Sequence, residues 1–276
     1  MTAIQSVSTA LRTIRDHPIL LAGGLLFAAF GELSALAQLG GSVVGFGLSL
    51  GFLLVWPFVI AGLIGMIDAG LDGDTGFDRF LAAARSNYLS MLGAFLLFVV
   101  TIVAVYIGMF VLTMVVGLVG GVALFSLGDG GALGAGLLLL GLFLASLLVV
   151  FLVFVFLQFL YAAVVVSDAG AIGSLSKSAG LVRANFLSVL GYSVIFLLLT
   201  FVPRIPDTVL FFTAVELPDA EAGTGYAVVS EPMLALSVAL GLLLGTLAAT
   251  LAWTYHVSFY RSMIDESDAG STGSPA

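Results

Sequence analysis

Chemistry in this chain would have to come from very few side chains. There are two histidines, His17 and His256, no cysteine, and neither a Gly-x-Ser-x-Gly elbow nor a His-Glu-x-x-His helix. The usual nucleophiles and metal sites therefore lack partners, and thiolate chemistry and disulfides are excluded. Four carboxylates gather in Asp68…Asp72-Gly-Asp74…Asp78. Asp72-Gly-Asp74 hints at a calcium loop, but the later bidentate glutamate is missing. Asp72-Gly73 is also not followed by the Ala-Arg step of the phosphotransferases that use clustered aspartates on lipid headgroups. A solvated acidic turn is the expectation. We expect no enzyme activity, no cofactor and no metal; a lipid-modifying enzyme would need Asp68, Asp72 or Asp74 to converge with Arg85 on one pocket.

Three polar residues lie within long apolar runs, where polar groups are costly and often functional. Glu32 is about 14 residues past Pro18, or ~21 Å along a helix axis. It can bind a cation or proton, pair with Arg204, or snorkel. Gln158, with Tyr161 on its face, suits an interhelical hydrogen bond or a ligand contact. His256 stands among Trp253, Tyr255 and Tyr260, the pattern of an aromatic belt at a membrane interface.

The elements that must position these groups follow from composition. Of 276 residues 61% are hydrophobic and 9% charged, with a mean hydropathy of +1.24. Soluble chains carry about 25% charged residues. A membrane helix needs roughly 20 mainly apolar residues, and six runs qualify: Ile19–Leu39, Ser42–Ile67, Leu89–Gly121, Leu133–Val166, Phe186–Val202 and Met233–Tyr260. The fifth stops at Pro203, reinforced by Pro206. With six spans, Arg12, Arg15, Arg79, Arg85, Lys177, Arg183 and Arg261 share one side and Arg204 lies opposite. The positive-inside rule then puts both termini in the cytoplasm of a cell-membrane protein. Arg12, Arg15 and Ala35-Leu36-Ala37 imitate a secretory signal, but Glu32 interrupts its apolar part. The net charge of −8 disfavours nucleic acid, which needs clustered cations. One lysine against seven arginines, in an acid-rich chain, resembles proteins of salt-loving archaea, with high-GC bacteria as the alternative.

Internal similarity organises the rest. Arg85-Ser-Asn-Tyr-Leu-Ser-Met-Leu-Gly93 aligns with Arg183-Ala-Asn-Phe-Leu-Ser-Val-Leu-Gly191, and more weakly with Arg15-Asp-His-Pro-Ile-Leu-Leu-Ala-Gly23. Apolar residues at helical spacing precede each arginine: Ile4, Val7, Leu11, Ile14; Phe77, Phe80, Leu81, Ala84; Leu175, Ala179, Val182. Each set predicts a short amphipathic helix in the headgroup region. The expected fold is all-α: a polytopic membrane protein of six helices in three hairpin units, each preceded by a cytoplasmic elbow helix. The units are about 1–67, 68–167 and 168–262 of one domain, 1–262, followed by a disordered acidic tail, 263–276. At each elbow Asn87, Asn185 or His17 can cap the helix that enters the bilayer. Arg15, Arg85 and Arg183 can bind lipid phosphate. The pairs Gly41/Gly45, Gly47/Gly51, Gly117/Gly121 and Gly241/Gly245 allow close helix approach, within a chain or between chains.

The spans, the elbows and the phrase Val166-Ser-Asp-Ala-Gly…Ser174-Leu-Ser-Lys-Ser-Ala-Gly-Leu-Val-Arg183-Ala-Asn-Phe resemble the membrane domain fused to some bacterial glycerophosphodiester phosphodiesterases. They look closer still to uncharacterised stand-alone haloarchaeal membrane proteins related to it. The resemblance implies a fold and a membrane location and brings no catalytic residues, since no segment outside the spans is long enough for the phosphodiesterase barrel. The largest such segment, Pro203–Pro232, holds the apolar stretch Thr208–Val215, expected as a short helix capping the outer face. The functional expectation is a non-enzymatic membrane protein that binds lipids, a protein partner or a second copy of itself. The alternative is a transporter or permease-like subunit, which would show a polar cavity joining Glu32 to Gln158.

Overall fold

A computed structural model describes residues 3–39, 43–126, 128–216, 228–229 and 231–271. The helices are α1 (Ala3–Asp16), α2 (Leu20–Leu39), α3 (Val43–Leu71), α4 (Phe77–Phe125), α5 (Asp129–Leu157), α6 (Leu160–Val166), α7 (Ala171–Ala184), α8 (Phe186–Phe201), α9 (Ile205–Ala214) and α10 (Glu231–Ser271). A 3₁₀ turn, Val202–Arg204, links α8 to α9. The β-structure among the described residues is one antiparallel pairing, Val215 with Val229 and Glu216 with Val228. Six helical stretches are long and apolar enough to cross a membrane.

Local chemistry explains most boundaries. α1 ends ahead of Pro18, which disfavours helical backbone at the residue before it. Within α3, Pro57 removes a ladder donor, and the Tyr88 hydroxyl of α4 donates to the neighbouring Leu54 carbonyl at 3.1 Å. The apolar stretch after Pro206 is helical, as α9, and packs on α10.

Three expectations need correction. No elbow separates residues 77–84 from the span that follows, because α4 is continuous for 49 residues, ~74 Å at 1.5 Å per residue. Neither proline nor glycine occurs between Phe77 and Gly93, so nothing interrupts the helical ladder. The fourth run is broken instead, at Gln158–Phe159, between α5 and α6. Finally, residues 263–271 continue α10 as helix where a disordered tail was expected; 272–276 lie outside the described residues.

The core sits at the end that carries α1 and the last turns of α10. One cluster joins Leu20, Ile60, Leu63, Ile64, Met91 and Leu160. A second joins Ala10, Phe159, Val189, Tyr192, Tyr255 and Phe259. Towards the opposite end α4 and α5 meet along one stripe, Gly117 facing Leu139 and Gly120 facing Leu138. Their other faces present Val111, Leu118, Phe143 and Leu148 outward. Apolar surface on every outward face suits lipid as the surrounding solvent.

Glycine allows one close crossing. A Cβ at Gly24 of α2 would meet the Thr250 side chain and lie 2.8 Å from the Thr246 carbonyl of α10. Of the anticipated glycine pairs, Gly47 and Gly51 face nothing within 4 Å, and Gly41 and Gly45 lie outside the described side chains. Gly241 and Gly245 form a notch whose occupants are described below.

Candidate functional site

The sequence-predicted residues fall into three groups. Arg15, Arg85 and Arg183 are exposed, and none makes an ion pair among the described residues. Each occupies the same step. The residue five places before is buried: Ala10, Phe80 and Ser178. The residue four places after is an exposed aliphatic: Ile19, Leu89 and Leu187. A guanidinium a few residues from an exposed apolar side chain lets a cation meet headgroups while its neighbour enters the acyl region.

The partner asparagines do something other than expected. Asn87 Nδ2 donates to the Ala83 carbonyl at 3.1 Å, and Asn185 Nδ2 to the Leu181 carbonyl at 3.2 Å. Both bonds run four residues back, so neither side chain caps the helix that follows. In α4 this leaves the helix unbroken; at Asn185 the backbone turns (φ −128°, ψ 32°) and α7 gives way to α8. The packed faces of α1 and α7 match the apolar stripes in part: Val182 is buried, and Val7, Ile14 and Leu175 pack on the two core clusters. Ser6, Ala10 and Thr13 are buried in α1, and Ser174, Ser178 and Val182 in α7. Ile4 and Leu11 of the α1 stripe face outward. Small side chains let these helices lie close on α8 and α10 or on α4 and α6.

The second group surrounds the break at Gln158–Phe159. Interrupting a helix frees backbone groups, which in a bilayer must find partners. Ser178 of α7 supplies both: its hydroxyl donates to the Phe156 carbonyl at 2.7 Å and accepts from the Phe159 N–H at 3.2 Å. Gln158 Oε1 accepts from Ser193 of α8 at 3.0 Å. Beside it His256 is fully enclosed, stacked on Phe159 and hydrogen-bonded through Nδ1 to the Tyr192 hydroxyl. Tyr255 and Tyr260 are buried too. The expected interfacial belt is thus an internal cluster, because α8, α6 and α1 pack around this part of α10. Gln158 Nε2, His256 Nε2 and the Tyr255 hydroxyl have no hydrogen-bond partner among the described residues.

The third group lies at the opposite end. Arg204 Nη2 donates to Glu32 Oε1 at 2.7 Å and lies 3.3 Å from Asp207 Oδ2. Its Nη1 donates to the Gly241 carbonyl at 3.2 Å. Gly241 and Gly245 make room for this pair. A Cβ at Gly241 would press on the Glu32 carboxylate, and one at Gly245 on the Arg204 guanidinium. Asp207 is buried, and its Oδ1 has no partner among the described residues. Beneath the ion pair a cavity of about 520 Å³ opens between α2, α8 and α10. Its walls are Phe27, Phe196, Phe201, Ala249 and Trp253, with Arg204, Thr200 and Thr208 at its polar end. Phe196 and Trp253 also pack on His256, so this cavity ends in aromatic rings on the side towards the Gln158 cluster.

The acidic turn is more tightly held than a solvated loop. Arg261 of α10 grips Asp72 bidentately at 2.9 and 3.1 Å and reaches the Asp68 carbonyl at 3.3 Å. Asp74 pairs with Arg79. Asp68, Asp72 and Asp74 do line one cleft, but with Arg79, Ser86 and Asn87; Arg85 is not in its wall.

Residues 1–263 match the family model of a domain of unknown function, DUF7847. The chain belongs to the DUF7847 family. No curated protein and no solved structure matches it. The DUF7847 match covers all ten helices, α10 up to residue 263, so the arginine steps, the α5–α6 break and the Arg204 cavity all lie within one family unit. Sequence reasoning missed Ser178, Asp207 and the burial of His256. A hydroxyl on a polar-looking helix and a carboxylate in the first turn of a short helix carry no periodic signal of what they will touch.

Proposed function

We propose that this chain is a non-enzymatic protein of the cell membrane that binds anionic lipid headgroups, or a partner offering the same phosphate chemistry, at its cytoplasmic interface. Both termini are cytoplasmic in this reading. Three units of about 1–67, 68–167 and 168–262 each present one arginine to this interface, Arg15 and Arg183 in the last turns of α1 and α7 and Arg85 within the continuous α4. One observation carries the reading: Arg15, Arg85 and Arg183 are exposed without ion-pair partners among the described residues, each four residues before an exposed aliphatic residue. Arg79, Arg204 and Arg261, by contrast, are held by carboxylates. A guanidinium binds phosphate bidentately, and an anionic leaflet contributes about 1 kcal/mol per nearby cation. The likeness to the phosphodiesterase-associated membrane domain and to haloarchaeal proteins supports the location and lends no activity.

The test is purification of wild type and the Arg85→Gln/Arg183→Gln double variant with their native lipids and partners. The double variant should lose anionic lipid, or the partner, relative to wild type. Unchanged co-purifying lipid and partners would count against the proposal.

A second reading, a permease-like subunit, is favoured by the helix break at Gln158–Phe159 beside unpartnered polar atoms. Transporters place substrate sites at such discontinuities. Against it, Ser178 satisfies the freed backbone groups, and aromatic rings stand between that cluster and the Arg204 cavity.

A further inference from the structure

The α4–α5 hairpin is longer than a bilayer needs. No charged residue falls between Arg85 and Asp129, or between Asp129 and Asp168. From Leu89 to Val122, both exposed, α4 rises ~50 Å at 1.5 Å per residue. The hydrocarbon of a bilayer is ~30 Å thick, which the 20 residues of α2 match. Even at the steepest usual tilt, about 40°, this apolar part of α4 projects to ~38 Å. The neighbouring span stops short of it. Tyr88 of α4 bonds to Leu54 of α3, and Phe95 lines a groove with Phe52, so Val43, the first residue of α3, comes level with about residue 102 of α4. Beyond that level α4 packs along α5 for a further ~35 Å, Gly117 against Leu139 and Gly120 against Leu138. The distal hairpin thus carries apolar surface that lipid cannot cover in full, and such surface marks a protein contact.

The flank on which Leu139 meets Gly117 fits a helical partner. Phe110, Met114 and Leu118 of α4 and Leu139 and Phe143 of α5 are exposed there, in two adjacent rows at helical spacing. Aromatic residues and Met are enriched, and charges depleted, at the cores of protein interfaces. Gly121 and Gly136 have no atom within 4 Å of where a Cβ would stand, so another helix can come close. The area suffices for a stable pair. A face ~35 Å long and two helices (~20 Å) wide gives about 700 Å² per copy, or about 1,400 Å² in total, inside the ~1,200–2,000 Å² of stable complexes. An uncharged face offers an unlike partner nothing to pair with, whereas two copies of it related by a twofold axis match without charges. We propose that the distal α4–α5 hairpin docks on the same hairpin of a second copy of this chain, forming a four-helix bundle at the end away from Arg15, Arg85 and Arg183.

The test is oxidative crosslinking of single cysteines in native membranes, since the full-length chain has none of its own. Phe110→Cys, Met114→Cys and Leu118→Cys probe the proposed face. Leu112→Cys, on the opposite flank of α4, and Leu198→Cys, on the outward face of α8, are exposed controls. At least one of the first three should form a covalent dimer about tenfold faster than either control, because a fixed interface raises the effective concentration of the paired thiols. No dimer at any of the three, or dimerisation at the controls as fast as on the proposed face, would overturn the assignment. Native mass spectrometry of the unaltered chain released from detergent should count two copies, and any other count would overturn the pairing.

Discussion

Ser178→Ala isolates the one side chain that holds the interrupted fourth span together. Its hydroxyl is shared between the Phe156 carbonyl and the Phe159 N–H, two backbone groups that the break leaves without helical partners. Each buried backbone group left unpaired costs ~1–3 kcal/mol. With both losing their partner together, we expect about 2–4 kcal/mol of destabilisation, a large share of the stability of any fold. Ser174→Ala is the matched control. Ser174 is equally buried on the same helix, but its hydroxyl bonds only the Ala171 carbonyl of its own turn, at 2.8 Å. Its loss should cost less than ~1 kcal/mol, as for other local side-chain bonds in a helix. The assay is equilibrium unfolding in mixed micelles, followed through Trp56 and Trp253, with amide hydrogen exchange across 156–163. Ser178→Ala should unfold at lower denaturant and exchange fastest at Phe159. Equal stability and equal exchange in the two variants would refute the argument that Ser178 bridges the break.

Two further expectations follow from the ion pairs and the cation distribution. Arg204→Ala strands Glu32 and Asp207 beside each other; it should destabilise by about 2–3 kcal/mol, below the ~3–5 of a fully buried pair because the Arg204 side chain is 35% exposed, and Arg204→Ala/Glu32→Gln should recover part of that loss in the same micelle unfolding assay. The native chain has no cysteine, so single cysteines report sidedness cleanly: an impermeant maleimide should label Thr213→Cys in intact cells and Ser8→Cys only in inverted vesicles, and the reverse pattern would contradict cytoplasmic termini.

The spans were legible because roughly 20 apolar residues in a row have few alternatives. The Glu32–Arg204 pair was within reach of the sequence because only one cation falls on that end of a six-span arrangement. The short helices before Arg15 and Arg183 were legible as helices, since apolar residues recur at turn spacing. Their packing was not. Periodicity marks which residues share a face but not which face meets protein: in α1 Ser6, Ala10 and Thr13 are buried while Ile4 and Leu11 stay outside, and in α7 Val182 of the stripe is buried beside Ser174 and Ser178. The continuous α4 was hidden for the same kind of reason. Arg-x-Asn looks alike in units two and three, yet the asparagine bond to the carbonyl four residues back is compatible both with a straight helix and with a break. The break at Gln158 follows no proline or glycine. It rests on Ser178, twenty residues away in sequence, and on rings from α8 and α10, which no local pattern reveals.

We propose that Arg15, Arg85 and Arg183 each hold one anionic lipid headgroup at the cytoplasmic interface. Native mass spectrometry of the protein released from nanodiscs of mixed anionic and neutral lipid tests it directly, by counting retained anionic lipids in wild type, Arg15→Gln, Arg85→Gln, Arg183→Gln and the triple variant. Each single substitution should lower the retained number by one, and the triple variant should retain three fewer than wild type. A retained number that stays the same across all five proteins would contradict it.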